Sequence, residues 1–156
     1  MKRPVILYYL IICFSLFGSS LATGQEKPII KFGVIADIQY SDDDAKGTRF
    51  YRNSLNKLEA SINDINTELV DFSVILGDLV DRDTPRNLDS VLIRLQKLDS
   101  TIYVTTGNHD YDNILDNQAL FKQLDMPSEY YTFTKGNWVF VMLNTNELAS
   151  YSKTND

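Results

Sequence analysis

The sequence predicts an α/β domain with a largely parallel first sheet, and three observations carry that expectation. Short apolar runs of strand length alternate three times with longer segments whose apolar residues recur every three or four positions. Each of these runs gives way to a polar cluster that includes aspartate or asparagine. After the third unit the pattern changes to two apolar runs around a short turn, the mark of a hairpin. At 156 residues, with 44% hydrophobic and 12% aromatic content, the chain has single-domain length and ample material for a core.

The first 22 residues stand apart from that domain. MKRP carries two positive charges, VILYYLIICFSLF is a thirteen-residue apolar run, and GSSLA supplies small residues. This order is that of a secretory signal peptide, with cleavage after Ala22 or Gly24. The apolar run is short for a membrane span, which takes about 20 residues. The expectation is an extracytoplasmic chain, periplasmic or secreted, with no stable membrane span after processing. Cys13, the single cysteine, lies inside the run, so the mature chain has neither disulfides nor thiolate chemistry. Loss of Lys2 and Arg3 takes the net charge from −6 to −8. So acidic a chain is a poor nucleic-acid binder, since that function needs clustered Lys and Arg.

Residues 23–28, TGQEKP, read as a linker, and the domain occupies 29–156. KFGVIA (31–36) is the first strand and runs into Asp37. Leu55, Leu58, Ile62, Ile65 and Leu69 then share one face of a long helix. FSVIL (72–76) is the second strand and ends at Gly77-Asp78. RNLDSVLIRLQKL (86–98) forms a second amphipathic helix through Leu88, Val91, Leu92, Leu95 and Leu98. IYVTT (102–106) is the third strand, followed by Gly107-Asn108-His109-Asp110 and a shorter helical stretch over 113–124. YYTFT (130–134) and WVFVML (138–143) flank KGN as the hairpin, with Tyr130, Tyr131 and Trp138 in its core or rim. No internal repeat, low-complexity tract or second domain is evident.

All three β-to-loop junctions deliver polar side chains: Asp37-Ile38-Gln39, Asp78 with Asp81, and Asn108-His109-Asp110. In an open parallel sheet the carboxyl ends of the strands share one edge, where ligands bind. The separations of 41 residues (37 to 78) and 30 residues (78 to 108) each fit one strand–helix–strand passage. Carboxylate and amide oxygens gathered there suit hard ions such as Mn or Mg. A carboxylate on the middle junction, Asp78, is placed to bridge two ions that would activate a water and clamp a phosphoryl group. His109, the only histidine, would act near the leaving group, with Asp110 orienting it. Taken singly, Asp37 or Asn108 reads as a turn or cap residue. The run Asp42-Asp43-Asp44 reads as a solvated loop. Coincidence at three successive junctions is what points to a site.

ADIQ, GDLVDR and GNHD, in this order after successive strands, resemble the calcineurin-like metallophosphoesterases. Gln39 stands where that superfamily usually has histidine. Together with GTRFYRNSLNKLEASI (47–62), MPSEYYTF (126–133) and a strand ending in LNTN, this is similar to its manganese-dependent ADP-ribose/CDP-alcohol diphosphatase subfamily. The resemblance implies an α/β/β/α sandwich, here its N-terminal part, ordered β-α-β-α-β-α and then hairpin. It implies two divalent ions, Mn first, with Mg, Fe or Zn compatible. Asp37 and Gln39 would bind one ion, Asp78 would bridge, Asn108 would bind the second, and His109 and Asp110 would form the acid-side pair. Asp81 would support the site. Arg49 and Arg52 read either as phosphate binders or as an exposed face of the first helix.

In that family a later histidine and a Gly-His-x-His element complete both metal sites, and no histidine follows His109 here. The chain is therefore expected to be an N-terminal portion, with an exposed sheet face that would favour self-association. The implied function is metal-dependent hydrolysis of phosphodiester or diphosphate bonds in a small phosphorylated or nucleotide-type substrate, such as ADP-ribose or a CDP-alcohol. The alternative is a non-catalytic metal- or nucleotide-binding half-domain. A dinucleotide-binding fold is disfavoured because no Gly-x-Gly-x-x-Gly follows the first strand. Nucleophilic-aspartate chemistry is disfavoured because Gln39, and not a second aspartate, lies two positions after Asp37.

Overall fold

The computed structural model describes residues 30–81, 84–111 and 116–146. The expected signal peptide (1–22), the linker (23–28) and residues 147–156 lie outside the described residues. Strands β1 (Phe32–Ile35), β2 (Phe72–Ile75) and β3 (Thr101–Val104) form one parallel sheet in the order β1-β2-β3. Phe32 is in register with Phe72, and Phe72 with Thr101. Helices α1 (Ser54–Thr67) and α2 (Pro85–Leu95) make the two crossovers, and α3 (Asn117–Gln123) follows β3. Strands β4 (Tyr131–Lys135) and β5 (Trp138–Met142) form a separate antiparallel hairpin.

Parallel neighbours need a covered crossover, and the period-2 alternation of the strands decides what lies on each face. Ile35, Ile75 and Val104 point into a core with Leu55, Leu58 and Ile62 of α1 and Leu88, Val91 and Leu95 of α2. Leu120, Phe121, Leu124 and Met126 close that core at the far end. The opposite face carries Phe72, Val74 and Tyr103, which meet Phe133, Phe140 and Met142 of the hairpin. The described residues thus build helices on one sheet and the hairpin on its other side. Helix α2 begins where the sequence dictates. Thr84 accepts a hydrogen bond from the Asn87 amide (3.2 Å), and Pro85 takes a first-turn position where its missing N–H costs nothing.

The inter-sheet layer is aromatic. Phe72, fully buried, meets Phe140 (4.9 Å between centroids) and Phe133 (5.2 Å) edge-on, and Tyr103 stacks on Phe133. Such pairs add about 0.5–1.5 kcal/mol each beyond the area they bury. The Tyr131 hydroxyl reaches across to β3, accepting from the Val104 amide (2.9 Å) and donating to the Val104 carbonyl (2.6 Å). Those two groups lie on the side of β3 away from β2, so one side chain satisfies part of the sheet's edge.

Several sequence expectations are corrected here. Leu69 lies beyond α1, left-handed (φ 51°) and 85% exposed, because the helix stops at Thr67. The third strand begins at Thr101 and stops at Val104, so Thr105 and Thr106 belong to the junction. Tyr130 and Trp138 are exposed, leaving Tyr131 as the hairpin aromatic that packs inward. The hairpin turn itself is Gly136-Asn137, with Lys135 still in β4. Apolar surface remains open at Phe32 and Val34 on β1 and at Val139, Val141 and Leu143 along β5. Among the described residues no helix is long and apolar enough to cross a membrane.

Candidate metal centre

The three strands end level with one another, and their following loops are fastened together by backbone hydrogen bonds. The Leu76 amide donates to the Ile35 carbonyl (2.9 Å) and the Thr105 amide to the Ile75 carbonyl (2.9 Å). Past the strands, the Gln39 amide donates to Asp78 (2.8 Å), Tyr40 to Leu79 (3.1 Å) and Asp81 to Tyr40 (3.0 Å). This zipper imposes a backbone that propensity alone would refuse. Asp37 (φ 52°), Gln39 (φ 45°) and Asp78 (φ 49°) are all left-handed without being glycine. Left-handed non-glycine residues cost about 1–2 kcal/mol each and persist only where the surroundings over-determine them.

Asp110 is the centre of that over-determination. It is 2% exposed, and its two oxygens accept from three backbone amides: Gly107 (2.9 Å), Asp78 (2.9 Å) and Leu79 (2.8 Å). One side chain on the third junction therefore pins the second. Burial pushes its carboxyl up to about 6, with the neighbouring Asp78 charge adding to the rise and the three amide donors pulling against it. Asp78 returns the contact, its Oδ1 accepting from the His109 amide (3.0 Å). Close approach of the two loops requires glycine on both. A Cβ on Gly77, which has φ 84°, would lie 2.0 Å from the Gly107 nitrogen, and one on Gly107 would lie 2.0 Å from Asp78 Oδ1.

The sequence-named residues divide as follows. Asp78, His109 and Asp110 are joined by direct hydrogen bonds, and Gln39 is tied to Asp78 through the backbone. Asp37 and Asn108 flank them at the ends of the first and third junctions, both exposed. Asp81 is nearly buried and faces Arg49, whose Nη1 lies 3.7 Å from its Oδ1. Arg52 is turned elsewhere. Its Nε and Nη1 bond Asp42 and Asp44 (2.7 Å each) and its Nη2 bonds the Asp42 carbonyl (2.9 Å). That network raises the Arg52 guanidinium and lowers Asp44, and it gives the Asp42–Asp44 run a role as an arginine clamp.

Among the described residues no three His, Cys, Asp or Glu gather as a metal cluster. The available set is two carboxylates, Asp37 and Asp78, and two amides, Gln39 and Asn108, all oxygen donors suited to hard divalent ions. A second polar group was not foreseen as part of the site. Asn144, 2% exposed just after β5, donates to the Tyr111 hydroxyl (2.7 Å) and to Glu129. Tyr111 also meets Thr106 Oγ1 (2.8 Å), while Asn146 reaches the Thr106 carbonyl (3.2 Å). The signal available was LNTN, a polar cluster directly after an apolar strand, as at the other three junctions.

Comparison with known proteins agrees with this fold. A family model described as "Calcineurin-like phosphoesterase" matches residues 30–152. The chain is 34% identical over 103 residues to a Xenopus tropicalis protein named "Manganese-dependent ADP-ribose/CDP-alcohol diphosphatase", covering 57% of this chain and 30% of that one. It is 30% identical over 142 residues to an Oryza sativa protein of the same name, covering 81% and 44%. A dimetal phosphatase from Danio rerio superposes with a TM-score of 0.65 at 26% identity, covering 75% of this chain and 44% of that structure. The chain thus spans less than half the length of these relatives. With its match running from the first described strand past the hairpin, the protein belongs to the calcineurin-like phosphoesterase family.

Proposed function

We propose that this chain forms the N-terminal part of a metal-dependent hydrolase of phosphodiester or diphosphate bonds, acting on nucleoside-diphosphate-linked substrates of the ADP-ribose or CDP-alcohol type. The observation that carries the reading is the fastening of three donor-bearing junctions, the first to the second by backbone hydrogen bonds and the second to the third through the buried Asp110 carboxylate. The names of the relatives, manganese-dependent diphosphatases, support the metal and the substrate class.

Asp37 and Gln39 would hold one cation, Asn108 a second, and Asp78 would share its carboxylate between them. When bound, the two ions, Mn first, supply an activated water and neutralise charge on the phosphoryl oxygens. Asp78 keeps its orientation because the His109 amide occupies one edge of its Oδ1. His109 would hold a proton at the leaving oxygen and release it as the bond to phosphorus breaks. Asp110 acts through the backbone, fixing Asp78 and Leu79 against Gly107. Arg49 sits beside Asp81 and is the better placed of the two arginines to meet a phosphate, since Arg52 is engaged by Asp42 and Asp44. Residues 1–22 would send the chain out of the cytoplasm.

The test is Mn²⁺ titration by calorimetry of the chain and its Asp78→Ala variant, alongside hydrolysis of ADP-ribose and CDP-choline by the full-length enzyme and by the same substitution in it. The reading expects Mn²⁺ binding weakened at least tenfold by the substitution, with hydrolysis falling in step. Mn²⁺ binding indifferent to Asp78 would refute the site. Asp78-dependent binding without turnover would favour a binding module.

A further inference from the structure

Resting on the reading of His109 as the group beside the leaving oxygen, we infer that Tyr111 and Asn144 are positioning residues that tether the His109 turn to the second sheet. His109, Asp110 and Tyr111 form a single 3-10 turn. Such a turn is held internally by little, here the Tyr111 amide donating to the Asn108 carbonyl at 3.3 Å. Its geometry must come from outside anchors. The first residue is anchored by its amide on Asp78 Oδ1 (3.0 Å), and the second by the three amides that Asp110 receives. Both of these anchors lie on the junctions that follow β2 and β3.

The third residue is anchored partly on its own junction and partly on Asn144, just past the hairpin strand β5. The Tyr111 hydroxyl lies between Thr106 Oγ1 (2.8 Å) and Asn144 Nδ2 (2.7 Å). Asn144 is itself immobilised. It is 2% exposed, its Nδ2 also donates to Glu129, and its Oδ1 accepts from the amide (3.0 Å) and Nδ2 (2.7 Å) of Asn146. An asparagine this buried and this fully bonded holds its partner in one place, because any shift leaves a polar group without water or protein. The orientation of His109 relative to the Asp78 edge thereby depends on Asn144, two residues past the end of β5.

His109 is the only histidine, so its imidazole resonance in the full chain reports on it alone. The experiment compares Tyr111→Phe and Asn144→Leu with Thr105→Val in metal-free protein. The last cuts another bond of the same seam, Thr105 Oγ1 to the Leu143 carbonyl (3.2 Å), and leaves the turn alone. The readouts are the His109 imidazole signal and amide exchange at His109, whose N–H is bonded to Asp78. The tether predicts a displaced or broadened imidazole signal and about tenfold faster exchange in the first two variants, the worth of one lost buried hydrogen bond. Thr105→Val should leave both unchanged. Wild-type behaviour in Tyr111→Phe, or an equal response in Thr105→Val, overturns the inference. Should Asn144→Leu fail to fold, Tyr111→Phe decides alone. Neither readout uses metal or turnover, so failure here is separate from failure of the hydrolase reading.

Discussion

Gly77→Ala and Gly47→Ala together test whether the fused junctions depend on the close approach of two backbones. Both glycines have left-handed φ, 84° and 60°. They differ in what a Cβ would meet. At Gly47 there is nothing within 4 Å, whereas at Gly77 the Gly107 nitrogen lies at 2.0 Å and the Thr106 carbonyl carbon at 2.4 Å. The common backbone strain is about 1–2 kcal/mol. At Gly77 the second and third junctions must also separate by more than an ångström, and overpacking against backbone adds about 1–3 kcal/mol. The separation pulls Asp78 and Leu79 from Asp110, so the Gly77 variant should lose about 2–5 kcal/mol and the Gly47 variant about 1–2 kcal/mol. For a domain of this size, that difference is a gap in Tm on the order of 10 °C. Thermal unfolding followed by circular dichroism measures it, and Mn²⁺ titration should show weakened binding only for Gly77→Ala. Equal Tm values and equal Mn²⁺ affinities for the two variants would refute the reasoning.

Two further outcomes follow from the same contacts. Burial raises Asp110 from an ordinary carboxylate value near 3.8 to about 6, so the folded metal-free protein holds this proton more tightly than the unfolded chain. Its contribution is fully present below about pH 4 and is lost as pH rises through about 6, a loss of about 3 kcal/mol at 1.36 kcal/mol per unit. Urea unfolding across that window should show the decline, and Asp110→Asn should flatten it; an undiminished slope in the variant counts against the assignment. Tyr131→Phe removes the hydroxyl that serves both the Val104 amide and carbonyl, and should lower stability by about 1–3 kcal/mol. An unchanged urea midpoint would mean those groups find water instead.

Much of the fold was legible because strand length, helical spacing and polar junctions all repeat with a clear period. The strands and helices fall within a few residues of the expected limits, and the departures have local causes, as at Leu69 and Thr105. The edge that gathers Asp37, Asp78 and Asn108 followed from parallel topology. What the sequence could not supply was the pairing within that edge. Adjacency suggested that Asp110 serves His109, but its two oxygens are taken by amides from Gly107, Asp78 and Leu79. Arg52 read either as a phosphate binder or as part of an exposed helix face, and the fold turns it onto Asp42 and Asp44. Left-handed Asp37, Gln39 and Asp78 run against local preference and exist only through tertiary hydrogen bonds. Asn144 escaped notice as a site residue because the partners that tie it to the site, Tyr111 and Glu129, lie 33 and 15 residues away.

The zipper that carries the sheet's pairing past its strands has a consequence for how such a site changes over time. Neighbouring strands in a hydrogen-bonded sheet lie about 4.8 Å apart, a repeat fixed by peptide chemistry and indifferent to side chains. Because Gln39 and Asp78 remain paired through their backbones, their Cα positions inherit that ruler. A donor can therefore be exchanged, amide for imidazole or carboxylate for amide, without moving its neighbours. The backbone thus sets the pitch of the site and the side chains only fill it; were Gln39 to hold a cation, it would do so from a position that peptide geometry fixes.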